Sequence, residues 1–211
     1  MTPRLESGAA AGQHARVLRV AKVIPQTTAE GPFERCALWV SGCDLACPGC
    51  CNPALFDRDS VEATPPAELL QLLNRVQAAG VEGVTVLGGE PLQQPQALTW
   101  FARQAQARGL GVIVFTGYTL VQAQQLPEFD ALWLSLDTLI DGRFDRHQPE
   151  LHRRFIGSAN QRLHHRTPRY EDVELWRGPQ RIEVRVDSNG RIEAHGLPRS
   201  VSRLTRALSS S

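Results

Sequence analysis

The sequence lacks several features that would mark common functional classes. No apolar run approaches the roughly 18 residues that a membrane span needs. The candidates are short, such as residues 112–115. The N-terminal segment has no apolar signal core, so we expect a cytoplasmic protein. The 23 basic and 22 acidic side chains nearly balance, which gives no reason to expect nucleic acid or an anionic membrane as a partner.

Cysteine is missing everywhere except in one window. All five cysteines fall between Cys36 and Cys51, within 16 residues. Disulfide bonds stabilise a fold by joining distant segments, and five cysteines in so short a window cannot do this. A reducing compartment and a metal or redox site account for the grouping better.

The hydrophobic pattern predicts an α/β fold with a parallel sheet, because strands alternate with helices. The predicted strands are residues 17–23, 37–40, 84–87, 110–115 and 131–136, and the predicted helices are 65–79, with Thr64 as its N-cap and Gly80 as its stop, 95–108 and 120–125. The chain of 211 residues is too short for a closed eight-stranded barrel of ~250 residues. We therefore expect a partial, open β/α barrel.

The C-terminal part follows a different pattern. Ile182, Val184 and Val186 alternate with polar residues, and the alternation resumes at Ile192 after an Asn-Gly turn, which predicts a β-hairpin. We accordingly divide the chain into a flexible arm (1–15), a core domain (16–167), a hairpin extension (168–198) and a flexible tail (199–211).

Three of the cysteines have a spacing typical of a metal-binding loop. Cys43, Cys47 and Cys50 form C-x3-C-x2-C directly after a predicted strand. A cubane iron–sulfur cluster usually takes four cysteines, so three ligands would leave one iron open, as catalytic metal sites leave a position for substrate. The alternative is a structural zinc site, to which Cys36 or Cys51 would supply the fourth ligand.

A second motif favours the iron–sulfur interpretation. The predicted strand 84–87 ends in Gly88, Gly89, Glu90 and Pro91, about 40 residues after the cysteines. Ligands of parallel sheets bind beyond the carboxyl ends of the strands. Glycines there allow close approach of the backbone, and the Glu90 carboxylate suits a cationic ammonium group. Alone, this loop would be a weak signal that a simple turn explains equally well.

Together these motifs resemble the radical S-adenosylmethionine (SAM) superfamily. More narrowly, RCALWVSGCDLACPGCCN resembles the cluster loop of anaerobic ribonucleoside-triphosphate reductase activating proteins. Four further stretches agree in order: LGGEPL (87–92), FTGYT (115–119), LIDGRF (139–144) and GSANQR (157–162). The resemblance covers residues 17–166. The chain departs from it at Cys51, where the family usually has an aromatic residue, and from about Arg169 onward.

This resemblance implies a [4Fe–4S] cluster on Cys43, Cys47 and Cys50, with SAM bound at the open iron. It also implies reductive cleavage of SAM to a 5′-deoxyadenosyl radical, which then removes a Cα hydrogen from a glycine of a partner protein, an anaerobic ribonucleotide reductase. No catalytic side chain beyond the cluster ligands is implied. The SAM contacts implied by motif matching are Gly49, Cys50, Cys51, Gly88, Gly89 and Glu90.

Two other functions remain open at this stage. The same chemistry could modify a different protein or peptide, recognised by the hairpin. The cysteines could instead form a non-catalytic zinc or iron–sulfur binding module.

A basic segment suggests a further partner. Residues 143–169 contain seven arginines and four histidines against Asp145 and Glu150, a local charge of about +5. The segment either docks an acidic protein, such as the electron donor flavodoxin, or forms a solvated face. Lys22 is the single lysine beside 22 arginines, which we attribute to GC-rich codon usage and which makes each arginine less diagnostic.

Four side chains near these motifs have alternative roles. Cys36 has either a redox role or ordinary strand packing, and Cys51 is first a small buried residue. Asp137, which follows the predicted strand 131–136, either bonds the SAM ribose or orients a neighbour, or it caps a helix. Tyr118 either packs in the core or lies near SAM.

Overall fold

In a computed structural model of the chain, residues 17–186, 188–190 and 192–196 are described, so the predicted arm and tail lie outside the described residues. The strands are β1 (Val20–Thr27), β2 (Arg35–Val40), β3 (Gly83–Gly88), β4 (Gly111–Phe115), β5 (Thr138–Asp141), β6 (Arg162–His165), β7 (Ile182–Val186) and β8 (Ile192–Gly196). The helices are α1 (Pro66–Ala78), α2 (Pro95–Gln106), α3 (Leu120–Ala123) and α4 (Phe129–Trp133).

A six-stranded sheet in the order β1-β2-β3-β4-β5-β6 carries the fold. Strands β2 to β5 are parallel, while β1 and β6 run antiparallel at the two edges. The predicted α/β class with a mostly parallel sheet is thus confirmed. The predicted hairpin is confirmed as β7 and β8, which form a separate two-stranded sheet. Among the described residues, no helix has the length and apolar character that crossing a membrane requires.

The two faces of the sheet bury different side chains, because successive residues of a strand point to opposite faces. On one face, Cys36, Leu38 and Val40 join the core that packs against α1 and α2. On the other face, Ala37 and Trp39 belong to a small cluster near β1, and a separate cluster forms near β5 and β6. The second cluster consists of Ile113, Ile140, Phe155, Ile156, Tyr170 and Trp176.

A fully buried arginine lies under this second face. The Arg35 guanidinium donates to Thr85 Oγ1 (2.8 Å), to Tyr170 Oη (2.8 Å) and to Glu82 Oε2 (2.7 Å). A buried charge is tolerated only when it is paired and hydrogen-bonded, and this network meets both conditions. Because Tyr170 lies in the predicted extension, that extension is joined to the amino-terminal ends of the parallel strands.

The predicted strand 131–136 is wrong. Phe129–Trp133 is helix α4, and the fourth parallel strand is Thr138–Asp141. Leu132 and Leu136 are fully buried, whereas Leu134 is 65% exposed. The three leucines alternate as in a strand, but the two buried ones are four residues apart, which fits a helical segment equally well. Short apolar runs do not separate these two structures by periodicity alone.

Several element starts also differ from prediction, and two of them involve prolines. The first strand was expected over 17–23, but β1 is Val20–Thr27 and includes Pro25, which an edge strand tolerates. Helix α1 begins at Pro66 with Pro65 as its N-cap, one residue later than predicted. Thr64 does not cap the helix; its backbone N–H donates to Leu18 O at 2.7 Å. The helices predicted to start at residues 95 and 120 begin there and end two residues early.

Candidate functional site

A cavity of about 560 Å³ lies at the carboxyl ends of the parallel strands. Its lining comes from the cysteine loop after β2, from the loops after β3 and β4, from the β5–β6 loop, and from β8 of the hairpin. The predicted site residues that line it are Cys43, Cys47, Cys50, Cys51, Gly88, Gly89 and Glu90. The structure therefore brings the two sequence motifs, far apart in the chain, to one cavity.

Gly49 is the one predicted site residue outside the lining. It has a φ of 74°, in the left-handed region that favours glycine, and the turn around it is closed by a 3.0 Å bond from Cys50 N to Cys47 O. A Cβ at this position would lie 2.7 Å from Cδ of Arg146. Gly49 thus shapes the loop that holds the cysteines.

The loop is fixed at its start by backbone bonds to a short turn at Pro53–Leu55. Gly42 N donates to Leu55 O at 2.9 Å, and Cys43 N donates to Phe56 O at 3.0 Å. These contacts hold the first cysteine against the following turn, so the three thiols project from an anchored loop.

Backbone N–H groups surround the three cysteine sulfurs. Burial raises the pKa of Cys43, and the N–H groups of Leu45 and Ala46 oppose this effect. Burial also raises the pKa of Cys47, against the lowering effects of the Arg143 charge and the Phe144 N–H. Iron–sulfur clusters are held by thiolates whose sulfurs accept such hydrogen bonds, so this donor set fits an iron–sulfur cluster.

Cys50 and Cys51 behave as a pair. A hydrogen bond from Cys51 lowers the pKa of Cys50 to about 6, and the same bond together with burial raises the pKa of Cys51. Asn52 N also donates to Cys50 Sγ at 3.4 Å. Since the thiolate is the form that binds metals, this direction of the pKa shifts favours Cys50 over Cys51 as a metal ligand.

The position of Cys36 rules it out as a fourth ligand. Its side chain has no exposed surface and lies in the core that packs against the helices, on the face of β2 opposite the one that bears Trp39, a cavity-lining residue. Burial raises the pKa of this thiol to about 12, as expected for an inert core cysteine. Among the described residues, no three Cys, His, Asp or Glu side chains lie close enough to hold a single metal ion.

The loop after β3 packs directly on the cysteine loop. Glu90 N donates to Gly42 O at 2.8 Å, and Gly89 N donates to Val40 O at 2.7 Å. A Cβ on Gly89 would lie 2.5 Å from Gly42 O, so only glycine permits this approach.

The Glu90 carboxylate joins two loops. It accepts hydrogen bonds from Leu92 N (2.9 Å), Thr116 Oγ1 (2.8 Å) and Gly117 N (2.8 Å), and it is 1% exposed. Burial raises its pKa to about 7, although the three donors act in the opposite direction. Glu90 therefore holds the loop after β4 against the loop after β3, at the edge of the cavity.

The remaining motifs build the opposite wall. Gln161 donates to Gly142 O at 3.1 Å and accepts from Gly157 N at 3.1 Å, and all three residues line the cavity. Asp141 accepts from Leu120 N at 2.6 Å and contacts His164 Nε2 at 3.0 Å. These contacts give the DGxF and GSANQR motifs a role in shaping the cavity.

The structure decides between the alternative roles of two residues. Asp137 precedes β5 and so lies at the end of the strand remote from the cavity, where it accepts from Val112 N (2.8 Å) and Thr167 Oγ1 (2.6 Å). Asp137 thus holds its neighbours, which is one of its expected roles, and it neither lies near the SAM site nor caps a helix. The ribose interpretation followed from the misassigned strand. Tyr118 packs against the helix-side core and accepts from Gln93 Nε2 at 3.1 Å.

Most arginines of the basic segment form hydrogen bonds within the protein. Arg153, Arg154, Arg166 and Arg169 all donate to backbone carbonyls, and Arg153 and Arg169 also pair with glutamates. Fewer arginines are therefore available to bind a partner than the net charge of the segment indicates.

Sequence reasoning missed several cavity-lining residues. Lys22 and Glu30 come from β1 and the loop after it, Phe155 from the β5–β6 loop, and His195 from β8. None lies in a motif, and the hairpin reaches the cavity only through tertiary contacts. Phe144 also lines the cavity, and it could have been predicted because it is the last residue of the LIDGRF motif.

The anchored thiol loop, its N–H donors and the adjoining cavity fit an iron–sulfur protein. Residues 29–164, more than half of the chain, match a family described as 4Fe-4S single cluster domain.

Comparison with individual relatives assigns the chain to a narrower family. The chain is 34% identical over 151 residues to the anaerobic ribonucleoside-triphosphate reductase-activating protein of Escherichia coli strain K12, covering 67% of this chain and 94% of the relative. It is 31% identical over 158 residues to the protein of that name from Salmonella typhimurium strain LT2, covering 70% and 99%. The chain belongs to this family of activating proteins, which confirms the resemblance seen in its motifs.

A more distant relative of the same name comes from Enterobacteria phage T4, with 26% identity over 146 residues, 67% of this chain and 90% of the relative. The 4Fe-4S match ends at residue 164, before the hairpin. The hairpin that lines the cavity therefore lies beyond the matched domain.

Proposed function

We propose that the chain is a radical SAM enzyme that reductively cleaves SAM and generates a glycyl radical on an anaerobic ribonucleotide reductase. The observation that carries this proposal is the convergence of Cys43, Cys47 and Cys50 with the Gly88–Glu90 loop on one cavity. The names of the relatives support the reductase as the target. The protein would act in the cytoplasm, where thiols stay reduced.

The fold would be a partial β/α barrel of the radical SAM type. Four parallel strands with helices on one face support this proposal, as does a cavity at their carboxyl ends, where parallel sheets bind ligands.

Cys43, Cys47 and Cys50 would hold a [4Fe–4S] cluster. When bound, the cluster supplies an electron and an open iron for the amino and carboxylate groups of SAM. The chain's own part is to favour the thiolate of Cys50 through Cys51, to donate backbone N–H groups to the three sulfurs, and to bury the centre.

SAM would occupy the cavity beside the cysteine loop. Its volume falls within the range of about 300–1,000 Å³ that is usual for small-molecule sites. Gly88 and Gly89 permit close backbone approach, and Phe115 and Phe144 give apolar surface. A glycine of the partner suits the chemistry because no side chain would block its Cα from the radical.

Electron delivery would use the cationic side chains beside the cysteine loop. The charge of Arg143 acts on Cys47, and the Arg146 side chain lies against Gly49. An acidic electron-transfer protein such as flavodoxin would be attracted to this position.

Electron paramagnetic resonance tests the proposed target. The anaerobically reconstituted protein, incubated with SAM, a reductant and the reductase of the same organism, should produce a glycyl radical signal on the reductase. A protein that forms 5′-deoxyadenosine but leaves the reductase without this signal would instead favour the second candidate, modification of another protein or peptide. The hairpin in the cavity wall is the observation that favours that candidate.

A further inference from the structure

The hairpin contacts both sides of the cavity. Just before β7, the Gln180 side chain donates to Arg153 O (3.0 Å) and Ile156 O (2.9 Å), both in the β5–β6 loop. Farther along, the Glu183 carboxylate accepts from Thr27 Oγ1 (2.8 Å) and Thr28 N (2.9 Å), at the end of β1. The hairpin therefore reaches from one edge region of the six-stranded sheet to the other.

Its two faces have different chemistry. Glu183 is paired with His195 in the register, and these side chains lie on the face that meets β1. The other face carries exposed apolar side chains, including Val184 (45%) and Val186 (65%). The polar face is therefore turned towards the protein and the apolar one towards solvent.

His195 has an unmet hydrogen-bonding capacity at the cavity. The residue is 6% exposed and lines the cavity, and its Nδ1 is buried without a hydrogen-bond partner. A buried polar atom without a partner costs free energy, so such atoms in native structures call for a specific reason. A ligand that enters the cavity and supplies the missing partner would be such a reason.

The wall around His195 also carries two charged side chains. The carboxylate of Glu30 accepts a hydrogen bond from Gly196 N, and Glu30, Gly196 and Lys22 line the cavity beside the histidine. This wall lies on the β1 side. The proposed SAM contacts lie in the cysteine loop after β2 and at the end of β3.

We propose that the hairpin is a specificity-determining wall of the cavity, where His195 hydrogen-bonds the backbone of the glycine-bearing segment of the partner. The inference rests on the proposed function, since the group attacked by the radical must lie next to SAM, within the same cavity. An extended polypeptide offers N–H donors and C=O acceptors at regular intervals, which match a histidine nitrogen and a carboxylate.

Steady-state kinetics of the reconstituted enzyme test this assignment. His195→Phe, which keeps a ring but removes both nitrogens, should raise KM for the reductase about tenfold, as expected for one lost buried hydrogen bond, and leave KM for SAM unchanged. Ser188→Ala, at the hairpin turn and outside the cavity lining, should change neither constant. A rise in KM for SAM alone, or no change in either, would overturn the assignment.

A measurement on the unaltered protein covers the case in which the variant does not fold. Amide hydrogen exchange of residues 192–196 in the reconstituted enzyme should slow when the reductase is added. Unchanged exchange there would contradict a contact with the partner. Because this readout reports binding and not turnover, it distinguishes a failure of the hairpin assignment from a failure of the proposed SAM chemistry.

Discussion

Cys50 and Cys51, neighbours in the chain, share a hydrogen bond that favours the thiolate of Cys50 and the thiol of Cys51. The family usually has an aromatic residue at the second position, which could not form this bond. In this chain the Cys51 thiol therefore lies next to Cys50, the third proposed cluster ligand, and it lines the cavity.

The first prediction concerns this pair. In the cluster-free protein, Cys51→Ala should raise the pKa of Cys50 from about 6 towards that of an ordinary thiol, because the largest lowering cause is lost. The pH profile of alkylation at Cys50, followed by mass spectrometry, measures the change. Cys36→Ala is the control, since Cys36 lies in the helix-side core. An unchanged profile in Cys51→Ala would contradict the pairing.

The second prediction concerns the pH dependence of stability. The pKa of Glu90 is raised from 4.5 to about 7 in the folded chain, so the folded state binds more protons than the unfolded state within this window. The contribution of Glu90 to stability is then fully present below pH 4.5 and is lost as the pH rises through about 7.

Urea unfolding of the cluster-free protein on both sides of this window checks the sign. The free energy of unfolding should fall more steeply with rising pH in the wild type than in Glu90→Gln, which cannot titrate. Exposed Glu62→Gln should retain the wild-type slope. Equal slopes in the wild type and Glu90→Gln would show that the carboxyl is not perturbed by burial.

The third prediction concerns the buried arginine network. Tyr170→Phe removes the hydroxyl that accepts from Arg35 and donates to Glu82, and it should lower the free energy of unfolding by about 1–3 kcal/mol. Gly111→Ala should also destabilise, because its Cβ would overlap Tyr170 Oη.

A double-mutant cycle verifies the contact between these two positions. The penalty of Gly111→Ala should be smaller in the Tyr170→Phe background, where the overlapping oxygen is gone. Additive penalties would mean that the hydroxyl does not lie where the structure places it.

The fourth prediction concerns electron delivery. Replacing Arg143 and Arg146 with glutamine should slow reduction by flavodoxin about tenfold at low salt, because steering depends on local charge. Reduction by dithionite, a small reagent, should be unaffected. The matched control is Arg103→Gln, an exposed arginine on α2. Equal slowing with both reductants would argue against a docking role.

The sequence alone predicted those features of the fold and the site that depend on residues close together in the chain. The cysteine loop and the Gly88–Glu90 loop were predictable because each motif follows a strand, and parallel strands bring their carboxyl ends to one edge. Residues 131–136 were misassigned because Leu132, Leu134 and Leu136 satisfy strand alternation, while the fold buries only two of them.

Other features depend on contacts that no local pattern encodes. Arg35 looks like any arginine until Tyr170 and Glu82 surround it, and His195 reaches the cavity only because Gln180 and Glu183 anchor the hairpin. The same contacts show that removing the chain from residue 169 onward would also disturb the core, since Tyr170 is fully buried. Point variants in the hairpin are therefore the sharper tool.

We propose that three of the five cysteines, Cys43, Cys47 and Cys50, hold the catalytic centre. The yield of 5′-deoxyadenosine from anaerobically reconstituted protein with SAM and dithionite tests this assignment. The wild type and Cys36→Ala should form it, whereas Cys43→Ala, Cys47→Ala and Cys50→Ala should each form none. A wild type without product, or product from any of the three single variants, would contradict the account.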